Sequence, residues 1–394
     1  MTRPAICIYV QHLMGIGHQR RMAAISRACV RAGLDVSYVS GGMPVRGLRP
    51  DADNFVQLDP CRSPNLNFDS LVDVDGHEVS DGWCAARAAE LVATWRARAH
   101  QLLLIETFPF GRKLMRFELL PLMAAAKGSG ALLVSSVRDI VDFRPKRNKY
   151  QVMADTLLTH FDAALVHSDP AVLPFEESFP ATPEVAHLLH YTGYVDEHYG
   201  EQPALPCDGS NLSAPGVGEV IVSAGGGGYG EHLLRCALQA RELGAQAHRT
   251  WRVLVGENLS EERFLALRDK ARAGVIVERA RADFRVLLTH AHASISQGGY
   301  NTTMDLLASG VAAVVVAYHD ATEREQLLRA EVLARRGLVT LLANSDLAPA
   351  SLAASLDAAV SKPRVRCDLH TDGAARSAAL LRTWIEAGQC HRES

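Results

Sequence analysis

The sequence predicts an α/β protein made of two similar domains that face each other, each with a parallel sheet flanked by helices. Short apolar runs rich in β-branched residues alternate along the chain with segments of helical periodicity. The roughly twenty-five residues after Tyr194 are crowded with Pro, Gly, Ser and Asn, as interdomain linkers are. Both halves of the chain open with a strand, a glycine-containing turn and a helix, which is the beginning of a doubly wound domain.

The composition is that of a globular protein without a polyanionic partner. The chain has 394 residues, of which 48% are hydrophobic and 22% charged, and its formal net charge is -3. No run of Lys and Arg would follow nucleic-acid phosphates. No apolar run approaches the ~20 residues of a membrane-spanning helix, and the N-terminus lacks a signal-peptide pattern. The eight cysteines are scattered, so we expect free thiols in a cytoplasmic protein without stable membrane insertion.

The first half of the chain is predicted to be the first domain, residues 1–196. Its strands are predicted at 5–10, 35–40, 102–105, 130–137 and 163–167. Its helices are predicted at 20–31, 82–100 and 148–160. Residues 44–78, with scattered Pro, Asn and Asp, are expected to be irregular with short pieces of structure.

The second half repeats the pattern after a linker at 197–218. The second domain is predicted at 219–368, and the segment 369–394 is expected to be a helix that packs back on the first domain. Strands are predicted at 219–223, 251–255, 275–277, 293–296, 312–317 and 338–341. Helices are predicted at 230–243, 260–273, 283–290, 301–310, 325–336, 347–360 and 371–387.

Three polar residues stand where predicted strands of the first domain end, the edge at which open α/β sheets bind ligands. His18 follows Gly15-x-Gly17 at the point where the first loop becomes a helix, and an imidazole there can act as a general base near neutral pH. Glu106 and Asp139 end later strands and are alternative bases or orient His18. The loop lacks the third glycine of a dinucleotide-binding fingerprint, and no acidic residue ends the second strand, so NAD binding is disfavoured.

Two glycine-rich turns of the second domain suit a phosphate group. Gly225 to Gly228 follow the first strand of this domain, and a run of glycines permits close approach of a ligand to the backbone. Gly298 and Gly299 lie between a strand and a helix that starts near Asn301, where unpaired N–H groups attract anions. The alternative is an ordinary helix start capped by Asn or Thr.

Two Asp-x-Asp pairs, Asp51/Asp53 and Asp73/Asp75, have a spacing that can hold a metal-bound diphosphate. Neither pair follows a predicted buried strand, and such pairs are common in acidic loops. We therefore expect them to be ordinary loop residues.

Taken together, these motifs resemble a GT-B glycosyltransferase, a fold of two facing Rossmann-like domains. The residues that carry the resemblance are Gly15-x-Gly-His18, the Gly225–Gly228 turn, Ser296-Gln297-Gly298-Gly299-Tyr300-Asn301-Thr302 with Asp305, and Glu325-Gln326. The chain is most similar to the group that includes the peptidoglycan lipid-intermediate N-acetylglucosaminyltransferase and the family 28 C-terminal domain. The match is strongest over residues 290–337.

The resemblance implies a nucleotide-sugar donor, usually UDP-linked, bound mainly by the second domain. Asp305 would contact the ribose, although its side chain is shorter than that of the family's acidic residue, and Glu325 with Gln326 would hold the sugar hydroxyls. His18 would be the base that deprotonates the acceptor, in an inverting reaction that needs no bound metal and no cofactor. The donor-binding residues implied are Gly17, Gly226, Gly227, Gln297, Gly298, Gly299, Asn301, Thr302, Asp305, Glu325 and Gln326.

The acceptor and two alternative functions remain open at this point. The first-domain loop is poorer in glycine than in the relatives, and no apolar and basic patch for a membrane lipid is evident. A small acceptor from natural-product biosynthesis is therefore at least as plausible as a lipid-linked one. The alternatives are a UDP-sugar 2-epimerase of the same architecture and a non-catalytic nucleotide-sugar-binding protein. A homodimer is left open.

Overall fold

The chain divides into two compact units in this computed structural model. Unit 1 comprises Met1–Glu201 and His370–Ser394, and unit 2 comprises Gln202–Leu369. The structure describes residues 3–13, 15–65, 68–141, 147–200, 214–224, 230–257, 259–319, 324–363 and 370–390.

Each unit is built on a parallel sheet. Within the described residues, unit 1 has seven strands in the order β3-β2-β1-β4-β5-β6-β7, and unit 2 has six in the order β10-β9-β8-β11-β12-β13. The strands of unit 1, β1 to β7, are Ala5–Val10, Asp35–Ser40, Asn54–Gln57, Leu102–Glu106, Leu132–Arg138, Ala163–His167 and Leu189–Tyr191. The strands of unit 2, β8 to β13, are Val220–Ser223, Trp251–Val255, Val275–Arg279, Ala293–Gln297, Ala312–Ala317 and Thr340–Ala343. In both sheets the order of the strands reverses next to the first strand, between β1 and β4 and between β8 and β11. Doubly wound sheets bind ligands at this position.

Helices connect the strands and cover the sheets. In chain order, α1 to α12 are Gly17–Arg31, Asp81–Arg96, Arg116–Gly128, Arg147–His160, Thr182–Val185, Glu231–Ala240, Glu261–Arg268, Phe284–His290, Tyr300–Ser309, Glu325–Arg335, Pro349–Ser361 and Gly373–Cys390. Short 3₁₀ turns lie at Lys113–Met115, Phe175–Glu177, Ala186–Leu188, Ala245–His248 and Asn344–Asp346. Across the described ranges, no helix has both the length and the apolar character that a bilayer crossing requires.

Strand β1 shows how the sheet of unit 1 separates two cores. Alternate side chains of a strand point to opposite faces, and here Cys7 and Tyr9 join one apolar cluster while Ile6 and Ile8 join the other. Strands with apolar residues on both faces are typical of buried parallel sheets.

Helix α12 completes the second of these clusters. Its residues Ala378 and Leu381 are buried against Met22 and Ile25 of α1. Arg382 adds a hydrogen bond to the backbone oxygen of Ala32, 3.0 Å away. The last helix of the chain is therefore part of the hydrophobic core of unit 1.

Several elements were not predicted or have other bounds than predicted, among them β3, α3 and β13. Strand β3 is one of the short pieces of structure expected within 44–78, and its bounds were not predicted because it is partly exposed and has polar residues at both ends. Helix α3 was not predicted, and it contains Pro121, which interrupts the helical pattern. Strand β13 starts two residues later than predicted because Gly337, at a φ of 72°, and Leu338 close the end of α10 with backbone hydrogen bonds.

Candidate active site

His18 and Glu106 come together at the carboxyl edge of the sheet of unit 1. Strand β4 ends at Glu106 beside β1, and α1 begins at Gly17, directly after the loop that leaves β1. The Nδ1 atom of His18 lies 2.5 Å from Oε1 of Glu106. The Glu106 side chain is fully buried, whereas 18% of the His18 side chain remains exposed. The imidazole therefore has one edge on a buried carboxylate and is still accessible from outside.

Glu106 is held in its ionised form by the groups around it. Arg21 donates to Oε1 over 2.6 Å, Arg112 lies 3.4 Å from Oε2, and the Thr107 hydroxyl also donates to Oε1. Burial by itself raises the pKa of Glu106, but its interactions with His18, Arg112 and Arg21 outweigh burial and hold the pKa below its ordinary value. The carboxylate is consequently a fixed negative charge beside the imidazole.

His18 is neutral at physiological pH. Burial lowers its pKa to about 3; Glu106 opposes this shift, and the charge of Arg112 adds to it. A neutral imidazole beside an ionised carboxylate carries its proton on Nδ1, the atom that faces Glu106. The lone pair is then on Nε2, which is the arrangement that a general base requires.

The turn after β4 holds its side chains in place through an uncommon backbone. Thr107 and Arg112 have φ angles of 64° and 61°, in the left-handed region that β-branched and long side chains rarely adopt. A Cβ at Gly111 would come within 2.7 Å of Thr107 Cγ2, so the turn is also too tight for another residue there. Strain of this kind is concentrated at functional sites.

Asp139 and Gly17 flank this cluster. Asp139 is fully buried and directly follows β5, the strand next to β4. Gly17 is the first residue of α1. The His18 ring contacts Glu106, which is the first of the two predicted alternative bases or orienting groups.

In unit 2 the turn between β11 and α9 is shaped by close packing. A Cβ at Gly298 would lie 3.1 Å from Val315 Cγ1 and 3.3 Å from the Gln326 backbone oxygen, so α10 and β12 press directly on this glycine. Gly299 is the N-cap of α9, without a side-chain hydrogen bond at the cap. The alternative of an Asn or Thr cap is therefore wrong.

The remaining turn residues lie around the start of that helix. Asn301 and Thr302 lie in the first turn of α9 and are half-buried, and Gln297 ends β11. The helix stops at Gly310, which has a φ of 62°. These positions surround the N-terminal end of α9, where helix N–H groups suit an anion.

Asp305 is paired with a cation that the sequence analysis did not include. It is buried on α9, and its Oδ1 accepts hydrogen bonds from Arg285 of α8, 2.8 Å away. The expected ribose contact of Asp305 would thus be made by a carboxylate that Arg285 already orients.

Glu325 and Gln326 open α10 next to Gly298. Arg329 is buried, binds Glu325 at 2.8 Å and donates to the Gly298 backbone oxygen at 3.0 Å. The Gln326 side chain accepts from the Tyr318 N–H over 3.3 Å. Arg329 therefore links two of the predicted donor-binding positions, Glu325 and Gly298.

Gly226 and Gly227 lie outside the described residues. Asp51 and Asp53 form ion pairs with Arg27 and Arg3 at 3.7 and 2.8 Å. Asp73 lies with Asp75 and His77 in an exposed turn, where its Oδ1 accepts the backbone N–H groups of residues 75 and 77.

Comparison with known domains identifies the second unit. Residues 224–378 match the sequence model described as "Glycosyltransferase family 28 C-terminal domain". Unit 2 therefore carries a glycosyltransferase domain, and this match supports a glycosyltransferase enzyme. The resemblance predicted from the motifs of the sequence is confirmed for this part of the chain. A comparison with curated protein sequences gave no match.

Solved structures resemble this glycosyltransferase over nearly its whole length. The calicheamicin glycosyltransferase CalG4 is 17% identical, with a TM-score of 0.60 and coverage of 98% of both chains. MurG of Acinetobacter baumannii is 15% identical, with a TM-score of 0.58 and coverage of 98% of this chain and 99% of that one. A putative UDP-N-acetylglucosamine 2-epimerase from Listeria monocytogenes is 13% identical, with a TM-score of 0.61 and coverage of 98% of both chains. The predicted GT-B fold is thereby confirmed.

Four arginines of the glycosyltransferase sites were not among the residues predicted from sequence. Arg21 could have been found, because it follows His18 by three residues on one helix and so shares its face. Arg329 follows Glu325 by four residues on α10 and could have been found in the same way. Arg112 and Arg285 gave no such signal, since their partners lie in other elements.

Proposed function

We propose that the chain is an inverting, metal-independent glycosyltransferase that moves a sugar from a UDP-sugar to a hydroxyl or amine of a small-molecule acceptor. The observation that carries the proposal is the pair formed by His18 and Glu106 in unit 1. A neutral, partly exposed imidazole that a buried carboxylate orients can act as a general base and accept a proton from a substrate. In a glycosyltransferase, that proton belongs to the acceptor.

The reaction then proceeds by one displacement. Nε2 of His18 takes the proton from the acceptor as its oxygen or nitrogen attacks the anomeric carbon. The bond between that carbon and the diphosphate oxygen breaks, and its electron pair leaves with the diphosphate. Attack opposite the leaving group inverts the anomeric centre, and Glu106 stabilises the imidazolium that forms. His18 afterwards returns its proton to solvent.

Unit 2 supplies the donor site in this proposal. Gln297, Gly298, Gly299, Asn301 and Thr302 surround the N-terminal end of α9, whose helix dipole favours the negative charge of the departing diphosphate. This stabilisation takes the place of a bound metal ion.

The sugar and ribose contacts belong to the same unit. Asp305, oriented by Arg285, is proposed to bind the ribose hydroxyls. Glu325 and Gln326, positioned by Arg329 and the Tyr318 N–H, are proposed to bind the sugar hydroxyls. Both carboxylates are held by arginines before any ligand arrives, which reduces the ordering cost of binding.

Calorimetric titration with UDP, TDP and GDP in the presence of EDTA tests the donor site. We expect UDP to bind without metal and Asp305→Ala to weaken its binding roughly tenfold, as the loss of a charged hydrogen-bond partner does. Asp269→Ala, an exposed position on the same unit, is the matched control and should leave the Kd unchanged. Equal binding to wild type and Asp305→Ala, or binding that EDTA abolishes, would contradict this assignment.

The fold itself does not separate transfer from epimerisation, because a putative 2-epimerase has the same fold. An epimerase processes the donor alone and needs several acidic residues around the sugar, whereas the pair at His18 is suited to activating a second substrate. Incubation of the UDP-sugar without acceptor decides the matter. Slow release of UDP with an unchanged sugar supports transfer, and a changed sugar supports epimerisation.

A further inference from the structure

Arg112 is a buried cation whose charge is poorly compensated. Its side chain is only 9% exposed, and its hydrogen bond to Glu106 Oε2 is long, at 3.4 Å. Its Nε atom is buried and has no hydrogen-bond partner among the described residues. The short contacts of Glu106 go to other groups, because His18 and Arg21 both bind Oε1.

Arg87 of the same unit provides a contrast, because it is a buried arginine with a structural role. Its guanidinium is bound by Glu118 at 2.7 and 3.1 Å, by Gln11 at 2.7 Å and by the Gly41 backbone oxygen at 3.0 Å. The Asp59 backbone oxygen accepts a further hydrogen bond from it. A guanidinium that serves only the fold is saturated with acceptors, and Arg112 is not.

Among the described contacts, two cations share one carboxylate, because Arg21 and Arg112 both bind Glu106. Burial lowers the pKa of Arg112; Glu106 opposes this shift, and the charge of Arg138 adds to it. His12 contributes no charge, because burial and the charge of Arg112 together lower its pKa to about 4. Burial of an under-compensated charge is costly, so the site is complete only when another anion arrives.

We propose that Arg112 forms an anion-binding subsite beside His18, and that the acceptor carries a carboxylate or phosphate group which this subsite holds. The proposal rests on the proposed function, in which His18 deprotonates the acceptor. Arg112 and His18 both contact Glu106, so an acidic acceptor bound by the guanidinium has its hydroxyl or amine near the base. A guanidinium fork matches both anions and binds them with charge-assisted hydrogen bonds.

The left-handed backbone at Arg112 agrees with a ligand-binding role. Its φ of 61° and ψ of 30° place a long side chain in a conformation that costs free energy, at the end of a turn that also strains Thr107. The turn directs the guanidinium back towards the end of β4 instead of into solvent.

Binding of inorganic phosphate and of acetate tests the subsite, measured on the full chain by calorimetry and thermal unfolding at low chloride. We expect saturable binding that Arg112→Gln weakens roughly tenfold or more. Arg49→Gln removes the same charge from an exposed position and should leave binding unchanged. Arg112→Lys keeps the charge without the fork, should bind with intermediate affinity, and serves as the test variant if Arg112→Gln fails to fold.

Saturating UDP distinguishes an acceptor group from the diphosphate of the donor. Phosphate binding that persists with UDP supports the acceptor subsite, whereas displacement by UDP would assign Arg112 to the donor. No saturable binding, or equal binding to wild type and Arg112→Gln, would overturn the subsite. A chain that binds phosphate through Arg112 but releases no UDP from any donor would instead contradict the proposed function and leave the subsite standing.

A screen of hydroxylated acceptors in matched carboxylate and amide pairs completes the test. In wild type the carboxylate member is expected to stimulate UDP release at a concentration roughly tenfold lower, and in Arg112→Gln this preference should disappear. A kcat loss that is equal for both members, without a change in preference, would show that Arg112 only positions Glu106.

Discussion

Replacement of Glu106 by Gln tests whether the carboxylate assists His18. When His18 accepts a proton, its Nδ1 lies 2.5 Å from the Glu106 carboxylate. Unit charges ~4 Å apart attract by about 4 kcal/mol at an effective dielectric constant of about 20. Because Arg21 and Arg112 weaken the field of Glu106, we expect about 3–4 kcal/mol to be lost from the transition state. This corresponds to a fall in kcat of roughly 10² to 10³-fold.

Glu106→Gln is also expected to destabilise the fold, and Glu118→Gln is the matched control for this loss of stability. Loss of one partner from a buried ion pair costs about 3–5 kcal/mol, here because Arg21 would lose its carboxylate. Glu118 is as deeply buried as Glu106 and binds Arg87 at 2.7 Å, so its replacement should destabilise unit 1 by a similar amount. Only Glu106→Gln should lower the rate of the folded enzyme.

The assay is UDP release from a UDP-sugar, with water as acceptor until a better one is known. Rates are scaled by the folded fraction from urea unfolding, and kcat is separated from KM. If kcat of Glu106→Gln stayed within about threefold of that of Glu118→Gln, the reasoning about Glu106 would be refuted.

Three further predictions concern His18. His18→Ala should lower kcat for UDP release by about 10² to 10⁴-fold, as loss of a general base does, with an unchanged calorimetric Kd for UDP. The rate should stay level as pH falls through 6.5, because burial lowers the pKa of His18 to about 3; a decline centred near 6.5 would contradict this. As the pH is lowered from ~6.5, the free energy of unfolding should decrease more steeply in wild type than in His18→Gln. The two slopes should differ by up to about 1.4 kcal/mol per pH unit. Below the unfolded pKa, the imidazole of residue 18 is protonated in the unfolded chain but stays neutral in the folded one, so acidification stabilises the unfolded state. The contribution of His18 to stability is therefore complete above the unfolded pKa and is lost on acidification. Urea titrations at several pH values measure it.

The sheets and the residues at their edges could be predicted from local pattern. Strands β1, β2, β6, β9 and β12 have the predicted bounds, because each is a buried apolar run that ends at a polar residue or glycine. His18 and Glu106 were each placed at a strand end, and parallel strands bring their ends to one edge. Their meeting therefore follows from topology.

The arginines that complete both sites could not be predicted in this way. Arg112 reaches Glu106 through a turn with two left-handed residues, which no periodicity encodes. The i,i+4 spacing of Glu325 and Arg329 predicts their ion pair, but the hydrogen bond of Arg329 to the backbone oxygen of Gly298 carries no sequence signal. Gly298 is predicted to permit close approach of a diphosphate, and the structure adds a packing constraint there, because a Cβ would lie 3.1 Å from Val315 Cγ1.

Because α12 belongs to the core of unit 1, the order of synthesis has a consequence for folding. Helix α1 leaves the ribosome about 340 residues before the helix that covers Met22 and Ile25. At about 5–20 residues per second this delay is roughly 17–70 s, far longer than the collapse of a small domain takes. During that interval the nascent chain exposes an apolar surface on α1, and all of unit 2 is synthesised before α12. Unit 2 can therefore finish folding first, although it comes second in the chain.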